Sequence, residues 1–423
     1  MSEKRPAIVL MDPVRTGARY KSAAKDKGYA VVSVYTVADE VLRREWPNHS
    51  DGDDVTLYAS DADAVVEALA GVDFDLRAIV PALEAAVYLA DVVTHRMGLH
   101  GNDVGLAWAR RNKAAMRERA RQAGLQIPRF RLVDHLSEVA AACEETGFPA
   151  IVKPTMSAGA HSTTLIPGPD AAHDPPIAEK RDVYGRLMEE WLVEQYIRGR
   201  EFAVNCFSSE GDHRVIDMWE YRQPDARDYD FPLWNNVQVE PDDPDWARVE
   251  TYVKEVLSAY GLHRGPSHTE VKCAADGVYL MEINARLPGG PATHQWLTHT
   301  DIRPFHDSID CFLGVRPGIM DGPLGCRARF GAIAIRNDDA PGTLLAIHGL
   351  DEVAELPGVD HLLVAYEPGD TVPVTSGMDN IPIGAYVSAP TQADVVDLLA
   401  TIRSKVSMEM APLPSTTPDS GRG

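Results

Sequence analysis

Residues 268–290 read HTEVKCAADGVYLMEINARLPGG, and the interpretation of the chain begins with them. Both halves alternate in a way that is typical of β-strands, in which neighbouring side chains point to opposite faces. The first half places three polar side chains on one face: His268, Glu270 and Lys272. The second half places on one face Leu280, Glu282 and Asn284, with Arg286 continuing the series. We therefore predict a hairpin with a carboxylate on each strand.

The loop between the two strands predicts which residues face each other. The letters ADG, residues 275–277, fit a three-residue hairpin loop in which Gly277 adopts the left-handed conformation. Such a loop places Glu270 directly opposite Glu282, with their Cβ atoms about 4.5–5.5 Å apart. A two-residue Asp-Gly turn would instead put the two carboxylates on opposite faces of the hairpin.

Two facing carboxylates destabilise a hairpin unless a positive charge neutralises them. Glu270, Glu282 and the amide oxygen of Asn284 form an all-oxygen set, which suits magnesium held between protein and phosphate groups. The alternative is a solvated carboxylate pair at the edge of a sheet. Arg286 comes next, and an arginine beside a metal–phosphate site can stabilise charge that develops during phosphoryl transfer.

Three upstream segments have features of a phosphate and nucleotide site. Lys153 ends an apolar strand and is followed by TMSAGAHST, residues 155–163, a loop of small residues whose backbone N–H groups a phosphate can approach. Lys113 opens a helix, where the backbone dipoles favour anions. VEQYIRGRE, residues 193–201, could offer main-chain groups to a base along a free strand edge, and Glu201 could accept hydrogen bonds from a ribose. The alternatives are exposed lysines and an ordinary hairpin.

The outer parts of the chain predict two further folding regions. Residues 6–110 alternate strand and helix patterns, which indicates a parallel sheet. Glu84 follows the strand LRAIVPAL, at the edge where such sheets bind ligands, although a solvated helix cap is the alternative. From about residue 325 the pattern is rich in strands and ends in a helix, as in a small α+β lobe. The polar tail should be disordered.

Composition limits the classes of partner. The 423 residues carry a net charge of -22, which disfavours nucleic acid and anionic membranes. No apolar run approaches the roughly 20 residues that span a bilayer, and the N-terminus does not resemble a secretory signal. Five scattered cysteines indicate reduced thiols in the core of a cytoplasmic protein.

Taken in order, these elements resemble the ATP-grasp superfamily, and more closely its L-amino acid ligase, or carboxylate–amine ligase, branch. The most specific motif is NARLPGG after the acidic strand, and the resemblance covers residues from about 80 to 330. It implies a multidomain α/β and α+β protein with the ATP-grasp fold. The implied domains are a Rossmann-like pre-ATP-grasp domain (1–110), two ATP-grasp subdomains (111–192 and 193–324), a C-terminal α+β lobe (325–410) and a disordered tail (411–423).

The resemblance also implies roles for individual residues. ATP would be bound by Lys113, Lys153, Ser157, His161, an adenine hinge made of Glu194, Gln195, Tyr196 and Ile197, and Glu201 at the ribose. Two magnesium ions, or manganese instead, would be held by Glu270, Glu282 and Asn284. The implied catalytic residues are Arg286, which stabilises an acyl phosphate, and His268 at the acceptor site. The substrate would meet Glu84, Pro288, Gly289 and Gly290.

The implied activity is ATP-dependent amide formation between an amino acid, or a related carboxylate, and an amine. The reaction passes through an acyl phosphate and releases ADP and phosphate, and dipeptides or peptide antibiotics are the suggested products. A carboxylase-like or purine-type ligase of the same fold is the first alternative, and an ATP-binding module without catalysis is the second. The expected partners are small molecules, and a homodimer is left open.

Overall fold

A computed structural model of the protein describes residues 4–156, 162–175, 177, 187–223 and 234–413. The chain divides into two units, of which the first comprises Met1–Glu220 with Val239–Arg327, and the second Tyr221–Gln238 with Ala328–Gly423. Each unit has its own buried core. The finer domain boundaries given above stay predictions.

The first unit begins with a four-stranded parallel sheet in the order β3-β2-β1-β4. Its strands β1 and β2 are almost entirely buried, because helices cover both faces of such a sheet. A short 3-10 helix, Glu84–Ala86, follows β4 at the carboxyl edge. The elements are β1 (Pro6–Met11), α1 (Arg19–Asp26), β2 (Ala30–Tyr35), α2 (Asp39–Glu45), β3 (Val55–Tyr58), α3 (Ala62–Ala70), β4 (Asp75–Pro81) and α4 (Val87–Arg96).

A second sheet of the first unit is antiparallel, in the order β5-β8-β6-β7. The helix before it is capped by Asn112, whose side chain accepts a hydrogen bond from the N–H of Ala115. The elements are α5 (Lys113–Gln122), β5 (Phe130–Val133), α6 (Val139–Thr146), β6 (Ala150–Pro154), β7 (Thr164–Ile166), α7 (Pro169–Ala172) and β8 (Trp191–Gln195).

The rest of the first unit is built on antiparallel strands in the order β13-β12-β9-β10. The helix α8 buries the apolar face that its sequence predicts, with Val249, Val253, Val256 and Leu257 in the core. The elements of this part and the next strand of the chain are β9 (Arg200–Ser209), β10 (Asp212–Arg222), β11 (Asn235–Gln238), α8 (Trp246–Ala259), β12 (Arg264–Ala274), β13 (Gly277–Asn284), α9 (Gly290–His299) and α10 (Pro304–Phe312).

The second unit contains strands in the order β11-β14-β18-β16 and a three-stranded sheet β17-β15-β19. Helix α12 contributes Val395, Leu399 and Ile402 to its core. The elements are β14 (Arg329–Ile335), β15 (Gly342–His348), α11 (Leu350–Ala354), β16 (Val359–Val364), β17 (Thr371–Val372), β18 (Ile383–Ala389), α12 (Gln392–Lys405) and β19 (Ser407–Pro412). The prediction that the tail starts at residue 411 is wrong, because Ala411 and Pro412 still pair with β15.

The cysteines bear out most of what their spacing indicates. Cys143, Cys206, Cys273 and Cys311 are free thiols, and all four are buried. The prediction of core thiols is wrong for Cys326, which is exposed. Within the described part of the chain, the helices are too short or too polar to cross a membrane.

Candidate active site

The hairpin of β12 and β13 places Glu270 directly opposite Glu282, as predicted. The loop that connects the strands is different from the prediction. Ala274 pairs with Gly277, so the turn has two residues, Ala275 and Asp276, and Gly277 does not adopt a left-handed conformation. The predicted three-residue loop is therefore wrong, although the pairing of the carboxylates that it was used to derive is right.

A β-bulge at Met281 reconciles the short turn with this pairing. Val271 pairs with Leu280 and Glu270 pairs with Glu282, so that Met281 has no partner on β12. One extra residue on one strand reverses the alternation beyond it. The prediction that Leu280 shares a face with Glu282 is therefore wrong, and Leu280 lies in the core with Val278 and Ile283.

Backbone groups at this bulge form hydrogen bonds with residues outside the hairpin. The carbonyl oxygen of Met281 accepts a hydrogen bond from Arg117 Nη2 at 2.7 Å. The N–H of Leu280 donates to the carbonyl oxygen of Gln126 at 3.2 Å. Helix α5 and the segment after it thus hold the edge of the hairpin in place.

Lys113 meets the acidic hairpin directly. Its Nζ lies 2.9 Å from Glu282 Oε1, and the lysine is buried at the start of α5. Its positive charge compensates one of the two facing carboxylates. The structure thereby brings together a predicted phosphate ligand and a predicted metal ligand that are far apart in the sequence.

The hairpin brings together oxygen-bearing side chains of the kind that magnesium prefers. Glu270 and Glu282 face each other, and Asn284 pairs with His268 two positions further along. Among the residues that the structure describes, no three His, Cys, Asp or Glu side chains are grouped closely enough to hold a metal by themselves. This fits magnesium, which commonly uses one or two carboxylates and completes its shell with water and substrate phosphates.

His268 is held by a chain of buried polar groups. Its Nδ1 lies 2.8 Å from Asn205 Oδ1, and Asn205 Nδ2 donates to Asp217 Oδ1 at 2.7 Å. Burial raises the pKa of Asp217, and its N–H donors oppose that shift. The other oxygen of Asp217 accepts hydrogen bonds from two indoles, those of Trp219 (2.9 Å) and Trp296 (2.7 Å). Because Asn205 donates to Asp217 through its amide nitrogen, its amide oxygen points to His268 and orients the ring, with Nε2 3.4 Å from Glu270 Oε1.

A second cluster surrounds Glu194, which is buried in β8. Its carboxylate is paired with Arg117 and with Lys153, whose Nζ lies 2.5 Å from Glu194 Oε2. Burial alone would raise the pKa of Glu194, but the two positive charges lower it to about 2. Burial also lowers the pKa of Lys153. Lys153 therefore stands at the end of β6 with its charge compensated by Glu194.

The prediction of a free strand edge at residues 193–197 is wrong for residues 193–195, which belong to β8. Strand β8 lies between β5 and β6, and it is hydrogen-bonded on both sides. The N–H of Gln195 donates to Arg129 and the N–H of Tyr196 donates to Pro149. The sequence around β8 does not reveal this pairing, because the partner strand β5 comes from a segment about 60 residues earlier in the chain.

Of the other predicted ATP contacts, Glu201 and Tyr196 lie in the first unit, whereas Ser157 and His161 are not among the described residues. Glu201 pairs across the strands with Lys272, and the two side chains approach to 3.3 Å. The Nζ of Lys272 also lies 4.7 Å from the centre of the Tyr196 ring.

The predicted substrate residues meet beside Arg286. Glu84 Oε2 accepts a hydrogen bond from Arg286 Nη2 at 2.8 Å, and Arg286 Nη1 donates to the carbonyl oxygen of Leu287. Burial opposes ionisation of Glu84, but Arg286, Arg111 and Lys113 together hold its pKa below the usual value. Gly289 and Gly290 begin α9, and the carbonyl oxygen of Pro288 accepts a hydrogen bond from Thr293.

Comparison with known proteins agrees with this geometry. Residues 146–295 match the ATP-grasp domain family, and residues 338–411 match the L-amino acid ligase C-terminal domain 2 family. The chain therefore contains an ATP-grasp domain that is followed by an L-amino acid ligase C-terminal domain. The resemblance inferred from the motifs is thus confirmed.

Two named relatives match half or more of the chain. The chain is 23% identical to the L-arginine-specific L-amino acid ligase of Bacillus subtilis over 370 residues, which are 86% of this chain and 87% of that protein. It is 27% identical to dapdiamide A synthase of Enterobacter agglomerans over 228 residues, 51% of this chain and about half (52%) of that protein.

The structural matches establish the fold. The L-amino acid ligase of Bacillus licheniformis matches with a TM-score of 0.76 at 18% identity, over 97% of this chain and 100% of that one. The carboxyaminoimidazole ribonucleotide synthase of Aspergillus clavatus, solved with ATP, matches with a TM-score of 0.67 at 16% identity, over 95% and 100%. The predicted ATP-grasp fold class is confirmed.

Sequence reasoning missed several residues of the ATP-grasp site. Arg117 pairs with Glu194, and Asn205 and Asp217 hold His268 through hydrogen bonds. No local sequence pattern marks these three residues. Arg111 is the exception, since it directly precedes the Asn112 cap that positions Lys113. The individual roles assigned to the site residues remain predictions.

Proposed function

We propose that this ATP-grasp ligase joins the carboxylate of an amino acid, or of a related acid, to an amine at the expense of ATP. The observation that carries the proposal is the contact of Lys113 with Glu282, because it unites a phosphate-binding lysine with the facing acids of the hairpin. The two characterised relatives are named as an L-amino acid ligase and as dapdiamide A synthase.

In this proposal ATP lies between Lys153, Lys113 and the hairpin. The two lysines bind its phosphates. Each ammonium group has three N–H donors, so Lys153 can keep a contact with Glu194, and Lys113 with Glu282, while it binds phosphate. Residues 194–197 and Glu201 bind the adenosine. Magnesium, as two ions, would be held by Glu270, Glu282 and Asn284, where it neutralises phosphate charge.

The reaction follows from the placement of charges. The oxygen of a substrate carboxylate attacks the γ-phosphorus of ATP, the bond to the bridging oxygen breaks, and ADP leaves. The amine nitrogen then attacks the acyl carbon, loses a proton, and expels inorganic phosphate. Arg286 stabilises the negative charge on the transferring phosphoryl group in the first step and on the tetrahedral intermediate in the second, and His268, fixed by Asn205, lines the acceptor site. The protein contributes positioning and charge neutralisation more than covalent chemistry.

A purine-type ligase of the same fold is the second candidate. Its support is the structural match to carboxyaminoimidazole ribonucleotide synthase, which shows a shared fold. The C-terminal region favours the first candidate, since it matches the L-amino acid ligase family over residues 338–411. A cytoplasmic location is part of the proposal.

The test is a measurement of ADP release across pairs of amino acids, with magnesium and with mass detection of products. We expect ADP release that depends on amino acids, together with a product whose mass equals the two substrates less one water. ADP release that depends on a ribonucleotide amine and bicarbonate would favour the purine-type reaction. Absence of turnover with every amino acid pair would refute the first proposal.

A further inference from the structure

The guanidinium group of Arg111 is buried without hydrogen-bond partners. The residue is 3% exposed, and its Nε, Nη1 and Nη2 each make no hydrogen bond. A guanidinium carries five N–H donors, and a buried donor without an acceptor destabilises the folded state. The ion pair of Arg111 is with Glu84, whose Oε1 lies 3.5 Å from Nη1 and also accepts no hydrogen bond.

Glu84 is shared unequally between two arginines. Its Oε2 accepts a hydrogen bond from Arg286 at 2.8 Å, whereas Oε1 faces Arg111 across a longer gap. The side chain of Arg286 is 21% exposed and that of Arg111 is 1% exposed. Arg286 can therefore turn towards a ligand, and Arg111 is fixed in the protein.

The proposed reaction requires Arg286 to serve a second anion. When negative charge develops on the transferring phosphoryl group, Arg286 must weaken or break its bond to Glu84. A buried carboxylate that loses its counter-ion is strongly destabilised. Arg111 has the free donors to prevent this, and a movement of under about 1 Å would bring Glu84 Oε1 to the ordinary length of a charged hydrogen bond.

We propose that Arg111 is a positioning residue that takes over Glu84 when Arg286 turns to the substrate. The inference rests on the proposed function, because it uses the role of Arg286 given there. Arg111 touches no substrate in this proposal. It keeps Glu84 ionised and in place, so that the buried carboxylate still has a counter-ion when Arg286 moves away.

The direct test is a crystal structure of the protein with ADP, magnesium and tetrafluoroaluminate, which mimics a phosphoryl group in transfer. We expect Arg286 to contact the fluoroaluminate and Arg111 Nη1 to lie within hydrogen-bond distance of Glu84. Arg286 on the fluoroaluminate with Arg111 still unpaired would overturn the inference, and so would Arg286 still bound to Glu84. Crystals that exclude the nucleotide at saturating ADP would instead refute the proposed function itself.

Kinetics on an active amino acid pair provide a second test. Arg111→Met should lower kcat by about 100-fold while the KM for ATP changes by less than about twofold, because the charge of Arg111 matters most when Arg286 moves away from Glu84. Arg111→Lys should recover at least about tenfold of that loss, since it keeps the charge. Arg96→Met, which removes an exposed arginine paired with Asp63, is the control and should leave kcat unchanged.

A double-mutant cycle separates this role from simple packing. The Glu84→Gln variant has no buried carboxylate that needs a counter-ion. Adding Arg111→Met to it should therefore lower kcat by a further factor of less than about three. A full second loss in the double variant, or equal losses in Arg111→Met and Arg111→Lys, would show that Arg111 acts independently of the Glu84 charge. Circular dichroism of each variant checks that the fold is retained.

Discussion

At the scale of single residues, the site is built from charges that compensate one another across long stretches of chain. Lys113 meets Glu282 and Lys153 meets Glu194. The sequence suggests each of the four as an ATP or metal contact, but it does not reveal these pairings. Alternation and spacing describe neighbours along the chain, whereas the pairs join elements that only the folded sheets bring together.

Glu194 should make folding of the first unit depend on pH. Its folded pKa of about 2 is below the ordinary value of 4.5, so its stabilising contribution is complete above about pH 4.5 and is lost as the pH falls towards 2. The shift corresponds to about 3 kcal/mol. Urea denaturation should therefore show Glu194→Gln destabilised by at least about that amount at pH 7, with a difference that shrinks below pH 4.5.

Glu118 is the matched control for this pH dependence. Side-chain hydrogen bonds with Arg121 and Gln122 lower its pKa to about 2 as well, but it lies on the surface of α5. Solvent screens such exposed pairs, so Glu118→Gln should change stability little at either pH. An effect of Glu118→Gln as large as that of Glu194→Gln would mean that burial is not the source of the difference.

At the scale of elements, the metal hairpin shows what alternation can and cannot predict. It correctly indicates two strands with facing acids, and it gives the wrong loop and the wrong face for Leu280. The buried residues of β13, with Ala285 just beyond it, are spaced by two, three and two positions: Val278, Leu280, Ile283 and Ala285. Met281 is also apolar and hides this spacing in the sequence. A step of three within a strand indicates a bulge.

The bulge makes a prediction about two neighbouring side chains. Leu280 is fully buried, so Leu280→Ala should destabilise the protein by about 2–5 kcal/mol. Met281 lies at the half-buried bulge, and Met281→Ala should cost less than about 1 kcal/mol. Chemical denaturation of both variants measures the difference. The reverse order would mean that β13 alternates without a bulge and that Met281 faces the core.

At the scale of the whole molecule, the kind of sheet in each region is predictable because the two ends of the chain have different patterns of strands and helices. The parallel sheet at the N-terminus and the α+β pattern after residue 325 were both indicated by the sequence. The free edge at β8 was predicted wrongly because the order of strands depends on pairing between distant segments. The supporting residues Arg117 and Asp217 were missed for the same reason.

Nucleotide binding should stabilise the whole chain. A ligand that binds only the folded protein raises its stability by about 2.7 kcal/mol at 100 times its Kd. The thermal midpoint should therefore rise when ADP and magnesium are added together, and it should rise less with ADP and EDTA. An equal shift without magnesium would contradict a metal role for Glu270 and Glu282.

The central claim is that the facing carboxylates of the hairpin form the metal–phosphate centre of an ATP-dependent ligase. The most direct measurement is the rate of amino acid-dependent ADP release by Glu282→Gln, compared with the unaltered protein and with Glu118→Gln. Loss of turnover by at least about 1,000-fold in Glu282→Gln alone, with an unchanged circular dichroism spectrum, is the predicted result. Full activity of a folded Glu282→Gln protein would show that the hairpin is not the catalytic centre.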